Sequence, residues 1–301
     1  MNEAGEHAAP LVAVLLHGFA WAGEAPEAPI AAGITLCRMS GTPVEFWYHK
    51  LCAEQGVDDG DPFQYEAFLL LKPRHDDYYL NFGDPLSRVD RLLNLVTVIT
   101  GGLVGMSRIL VLEDGFRSVR ETHVVFALFG QTEFLQGKWP ALTGTVCGEI
   151  AAAWKLTEEL WESEKSRGRI ANALLFFYTA WRSHYIEHIC LNLAVCLEIL
   201  FAPNSQFETA HQIAFNISRF VSDRPAERQS AFRQVKRFYA VRSAIVHGGI
   251  PSDGKVIDAT VEMFPVTVTI LRKLLLDREW ALRFSSDEER RKLFDGYLFG
   301  A

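Results

Sequence analysis

The chain of 301 residues is poor in sulfur, with five cysteines (Cys37, Cys52, Cys147, Cys190 and Cys196) and four methionines. An odd cysteine count without CxxC spacing excludes a disulfide framework and a cysteine-rich zinc site, and a reducing, cytoplasmic compartment is expected. Long apolar runs are also missing. The longest, Ala171 to Trp181, falls well short of the roughly 20 residues that a membrane helix needs. The N-terminal run Leu11–Leu16 follows Glu3 and Glu6 instead of a basic stretch, so neither a signal peptide nor a membrane anchor is expected. Low-complexity linkers and internal repeats are absent. No G-x-S-x-G occurs, and Gly101-Gly102-Leu103-Val104-Gly105 lacks G-x-G-x-x-G spacing; a serine-hydrolase elbow and a dinucleotide loop therefore lack their signatures.

What remains is an ordinary globular composition, 49% hydrophobic and 22% charged, in a chain long enough for two domains or one large one. The net charge of −7 is unevenly spread. Residues 1–145 hold 18 acids and 10 bases (net −8), whereas residues 146–301 hold 19 acids and 20 bases (net +1). Between Arg228 and His247 stand Arg228, Arg233, Lys236, Arg237 and Arg242 with no acid among them. Such a stripe is either a phosphate footprint or a solvated helix face.

The hydrophobic period divides the chain at about residue 145. Before it, short β-branched and aromatic runs at Leu11–Leu16, Ile34–Met39, Tyr65–Leu71, Arg108–Leu112 and Thr122–Phe129 predict strands, with one helix near Pro85–Thr100. After it, windows at 146–164, 168–201, 206–222, 224–247 and 256–276 repeat at helical spacing. An α+β protein is expected, with a mixed α/β domain over 1–145 and an all-α bundle over 146–301. The window 224–247 is the best delimited: Ser222 or Asp223 can cap it, Pro225 suits its first turn, and Gly248-Gly249-Ile250-Pro251 stops it.

Three constellations could carry chemistry. His17-Gly18-Phe19 after an apolar run is similar to the oxyanion-loop segment of α/β-hydrolases, or simply ends a strand. His184-Tyr185-Ile186-Glu187-His188 matches H-x-x-E-H: on a helix, His184 and His188 share a face and could bind zinc, with Glu187 polarising a water, so a zinc hydrolase is one alternative. Two histidines on the polar edge of a packed helix would look the same. Third, Arg242 and His247 close the basic helix, five positions apart, just before the glycine stop.

Three ordered stretches give the last pair its context: Ala173-Leu174 through Cys196-Leu197-Glu198-Ile199-Leu200-Phe201, then His211 to Phe220, then Phe238-Tyr239-Ala240-Val241-Arg242-Ser243-Ala244-Ile245-Val246-His247-Gly248-Gly249. Over residues 146–280 the chain thereby resembles the HEPN domains, in particular the Apea-like HEPN group. The resemblance implies a helical bundle, commonly a homodimer, and in many members a metal-independent ribonuclease of defence or toxin systems needing no cofactor. It places the catalytic pair on Arg242 and His247, with Ser243, Glu198 and Arg219 at supporting positions. Ser243 stands where nuclease members often carry Asn, Asp or His, which keeps open a non-catalytic HEPN-like scaffold that binds nucleotide or a partner protein. Glu198 and Arg219 read equally as a buried helix-to-helix ion pair.

The residue types suit RNA cleavage. A 2′-hydroxyl can serve as nucleophile if a group titrating near neutrality moves protons and a fixed cation stabilises the phosphorane. His247 and Arg242 fit these roles, Arg233, Lys236 and Arg237 would steer RNA, and the expected ends are 2′,3′-cyclic phosphate and 5′-hydroxyl. At about 100° per residue, side chains five apart diverge by roughly 140°. Either the helix unwinds before Gly248 or a second subunit completes the site. The acidic N-terminal part is expected to sense a phage- or stress-related trigger or to restrain the nuclease.

Overall fold

The computed structural model of the protein describes residues 11–17, 20–54, 66–72, 88–102, 105–113, 118–124, 140–162, 168–183, 185–202, 209–249 and 251–299. It is an α+β structure with its antiparallel sheet in the N-terminal part and a helical C-terminal part, as the hydrophobic periods predict.

Strands β1 (Leu11–His17), β3 (Glu27–Ala31), β4 (Ile34–Arg38), β5 (Ala67–Leu71), β6 (Gly105–Glu113) and β7 (Ser118–Val124) form one sheet in the order β3-β4-β5-β1-β6-β7. All neighbours are antiparallel, and β1 runs between β5 and β6 with a register shift at Leu15/Leu16. A short parallel pair, β2 (Ala20–Trp21) and β8 (Ala141–Leu142), lies apart. The β1 run is apolar throughout because both of its faces are covered. Val12, Val14 and Leu16 join the main core, while Ala13 and Leu15 pack under helix α1 (Pro43–Glu54) through Val44, Tyr48 and Cys52. Helix α1 was not expected. The one helix that the pattern predicts in this region corresponds to α2 (Arg88–Thr100), which is buried from Val89 to Ile99 except at Arg91. Of the expected strand Thr122–Phe129, residues 125–129 lie outside the described ones.

The C-terminal helices are α3 (Gly144–Glu162), α4 (Arg169–Arg182), α5 (Ile186–Phe201), α6 (Thr209–Val221), α7 (Pro225–Val246), α8 (Asp253–Leu276), α9 (Arg278–Ser285) and α10 (Asp287–Phe299). The window 168–201 is thus two helices: Ser183 turns to extended backbone and its hydroxyl donates to Thr179 O at 2.9 Å. Nothing in the amino-acid pattern marks that break. Helices α9 and α10 were not anticipated either.

One hydrophobic core runs through position 145. Sheet residues Val14, Leu36 and Leu69 belong to the same cluster as Trp154 of α3, Phe177 of α4, Leu197 of α5 and Phe264 of α8. Polar contacts follow the same junction. Buried Asp90 of α2 accepts hydrogen bonds from Tyr178 and, at 3.1 Å, from Arg182 of α4, and Asn94 donates to Leu174 O at 2.8 Å one turn further on. Burial, then the Asp90 charge, drives the Tyr178 hydroxyl far above its ordinary pKa. Among the described residues, no helix is long and apolar enough to cross a membrane.

Candidate functional site

Helix α7 starts one residue later than its polar flank suggests. Proline disfavours helical geometry in the residue before it, so Arg224 is extended (ψ 125°) and becomes the N-cap, without a side-chain cap bond. Ser222 acts outside the helix, accepting from Arg224 N at 3.0 Å and donating to Glu227 at 2.6 Å. At the other end the glycines do what was expected of them. Gly248 takes φ +76° and its N–H donates to Ile245 O at 3.2 Å, while Gly249 N–H donates to Ala244 O at 2.7 Å. This pair of bonds is a Schellman closure, which satisfies carbonyls that the helix end would otherwise orphan. Gly249 is needed for space as well, since a Cβ there would stand 2.9 Å from Ala244 O.

The helix remains regular to Val246 and does not unwind before Gly248. His247 is its C-cap (φ −89°, ψ 16°), with an exposed imidazole that makes no hydrogen bond among the described residues. Arg242 turns the other way and pairs with Glu198 of α5 at 3.2 Å, the two side chains being 30% and 28% exposed. No hydrogen bond links Arg242 to His247. Ser243, between them, is exposed.

The ion pair is half-buried, with buried groups beside it. Tyr239, one turn before Arg242, is buried and donates to Ala194 O at 3.3 Å; burial, then the Glu198 charge, pushes its hydroxyl pKa well above the ordinary value. Burial raises the Glu198 carboxyl pKa, with Arg242 opposing it. Burial also pushes the Cys190 thiol up to about 11, so this thiol stays protonated and unreactive.

The alternative reading of Glu198 and Arg219 as an ion pair with each other is not met. Arg219 instead donates to Tyr297 O of α10 at 3.2 Å and lies over the Phe215 ring. The basic stripe is thinner than its composition implies. Arg228 folds back on Ser222 O and Asp223 O at 2.9 and 2.7 Å, and Arg237 pairs with Glu262 of α8 at 2.8 Å. Arg233 and Lys236 are exposed and make no ion pair among the described residues. With Ala240, Ser243 and His247 they fill exposed positions at alternating spacings of three and four, which is one continuous helix face.

Of the zinc alternative, His184 lies outside the described residues. Glu187 is half-buried and His188 exposed, its ring edge-on to Tyr185 at 5.4 Å. Among the described residues, no three His, Cys, Asp or Glu side chains gather as a metal-binding group. Gly18 and Phe19 of the oxyanion-loop reading also lie outside the described residues.

The end of α5, where Glu198 sits, is held by side chains from three other helices. Arg169 of α4 donates to Ile199 O at 2.6 Å, Asn216 of α6 to Phe201 O at 3.2 Å, and Arg290 of α10 to Leu200 O and Ala202 O at 3.2 and 2.7 Å. Sequence reading missed this clamp, because hydrogen bonds to backbone carbonyls leave no side-chain pattern on the accepting helix.

Comparison with family models, with curated proteins and with solved structures finds no match to this chain.

Proposed function

We propose that the protein is a metal-independent endoribonuclease of the HEPN type, acting as a homodimer in a defence or toxin system. The observation that carries the reading is the end of α7. There a solvent-exposed imidazole, an exposed hydroxyl and a buttressed guanidinium occur within six residues, downstream of Arg233 and Lys236, which make no ion pair among the described residues. The reaction would be in-line attack of a 2′-hydroxyl on its neighbouring phosphorus. The new P–O2′ bond closes the cyclic phosphate, the P–O5′ bond breaks, and the 5′-oxygen leaves with a proton. His247 would move protons and Arg242 would neutralise charge on the phosphorane.

Because Arg242 leans towards α5 while His247 faces solvent, one chain does not join the two groups, and a second copy would complete the site. The face Arg233-Lys236-Ala240-Ser243-His247 supports this, since alternating three and four spacing is that of a helix-pair seam and Ala240 and Ser243 permit close approach. The acidic N-terminal part would set when the enzyme acts, in a cytoplasmic setting.

The test is cleavage of total RNA and tRNA by wild type and His247→Ala, each with EDTA, reading the chemistry of the new ends. Cyclic phosphate ends made by the wild type alone are expected. If both proteins are folded dimers that bind RNA and leave its length unchanged, the binding-scaffold reading replaces this one. Stoichiometric zinc that is lost in His188→Ala would favour the zinc-hydrolase reading instead.

A further inference from the structure

We infer that Glu198 is a positioning residue for this chemistry: its ion pair holds the Arg242 guanidinium so that the η end of the fork is offered to a phosphate. The inference rests on the nuclease reading of the site. An arginine has five N–H donors in a fixed fork. In Arg242, Nη2 faces Glu198 Oε1 at 3.2 Å, and Nε is shut off from solvent with no hydrogen-bond partner. Neither Nη1 nor Nη2 makes a hydrogen bond among the described residues, so the η end of the fork is the part left for a phosphate.

A tether works only if its anchor does not move, and Glu198 stands on the last turn of a helix whose end is fixed from three directions. The carbonyls of Ile199, Leu200, Phe201 and Ala202 accept bonds from Arg169, Asn216 and Arg290, and Glu198's own carbonyl accepts from Ala202 N at 2.8 Å. The nearby cations are thereby used on the backbone or, for Arg169 and Arg290, also on Asp287. None of them competes with Arg242 for the Glu198 carboxylate. Tyr239, buried one turn earlier on α7 and bonded to Ala194 O of α5, locks the two helices in the register that brings Arg242 opposite Glu198.

The full-length wild type, Glu198→Gln and Glu198→Asp are compared in two ways: RNA cleavage with EDTA to give kcat and KM, and phenylglyoxal labelling of Arg242 followed by peptide mass spectrometry. Misaiming a catalytic group by about 1 Å is worth on the order of 100-fold. Glu198→Gln should therefore lower kcat by about 10- to 100-fold with KM within about twofold, and Arg242 should label several-fold faster. Glu198→Asp should recover part of kcat. Wild-type kcat in Glu198→Gln, or unchanged labelling of Arg242, overturns the inference. If the wild type cuts no RNA while labelling rises in Glu198→Gln, the tether is upheld and only the nuclease reading falls; if labelling is also unchanged, both fall. Should Glu198→Gln not fold, Glu198→Asp is scored on the same two readouts.

Discussion

Replacing Arg290 with methionine tests how the end of α5 is held. The side chain is 3% exposed, and its Nη1 donates to Leu200 O and Ala202 O at 3.2 and 2.7 Å. A hydrogen bond from a charged donor contributes roughly 1.5–3 kcal/mol, so losing both removes about 3–6 kcal/mol. An opposing effect is visible in the same site. Burial, and next the neighbouring Arg169, lowers the Arg290 pKa from the ordinary 12.5 to about 10. At about 1.4 kcal/mol per pKa unit, this is a penalty of about 3 kcal/mol on the charged form, which a methionine of similar length escapes. The net loss is then between about 0 and 3 kcal/mol. Urea unfolding followed by circular dichroism should show a lower midpoint with an unchanged slope, and the thermal midpoint should fall by up to about 6 °C. A methionine variant more stable than the wild type would refute the clamp. The guanidinium would then be a net burden, as buried ions sometimes are.

Four further outcomes are expected. His247→Ala should melt within about 1 °C of the wild type, because the imidazole is exposed and unbonded, yet lose RNA cleavage; a large drop in melting temperature would make the residue structural. Gly249→Ala should cost about 1–2 kcal/mol, since its Cβ would meet the Ala244 carbonyl oxygen, and an unchanged urea midpoint would contradict the tight turn. Asp90→Asn should cost about 1–3 kcal/mol, reduced because Arg182 can turn to solvent, and a double-mutant cycle with Tyr178→Phe should show coupling above about 0.5 kcal/mol; additivity would dissolve the triad. Finally, burial raises the pKa of Glu198, so the folded state binds this proton more tightly than the unfolded one. Its contribution to stability must decline as pH rises from the ordinary carboxylate value through the raised one. The wild type should therefore lose ground against Glu198→Gln across that window, and parallel stability curves would contradict it.

The helical half was largely legible because each helix buries one stripe, and a stripe at 3.6 spacing survives in any sequence. The strands β1, β4 and β5 were readable as compact apolar runs between turn residues. The misses have particular causes. Glu27–Ala31 is not among the expected strands; it contains Pro29, which β3 accommodates because it is an edge strand where a missing N–H is tolerated. Helix α1 buries Val44, Tyr48 and Cys52, four apart, but Phe46, Trp47 and Leu51 between them blur the stripe. At the site, helical spacing foresaw that Arg242 and His247 diverge. It could not foresee that Arg242 meets Glu198, because periodicity describes which way a residue faces and not which helix lies opposite. The glycine stop was readable to the residue, since Gly248 alone tolerates φ +76° without strain.

Helix α2, buried from Val89 to Ile99 except at Arg91, also has a consequence for how the chain is made. Its partners in the shared core include α8, whose first residue is Asp253. At roughly 5–20 residues per second, that partner leaves the ribosome on the order of ten seconds after α2 does. Throughout that interval the part of α2 that α8 covers stays open, although α3 and α4 have already been made and can cover other parts. Because α7 precedes α8 in the chain, the end of α7 is made before the helix that completes the burial of α2.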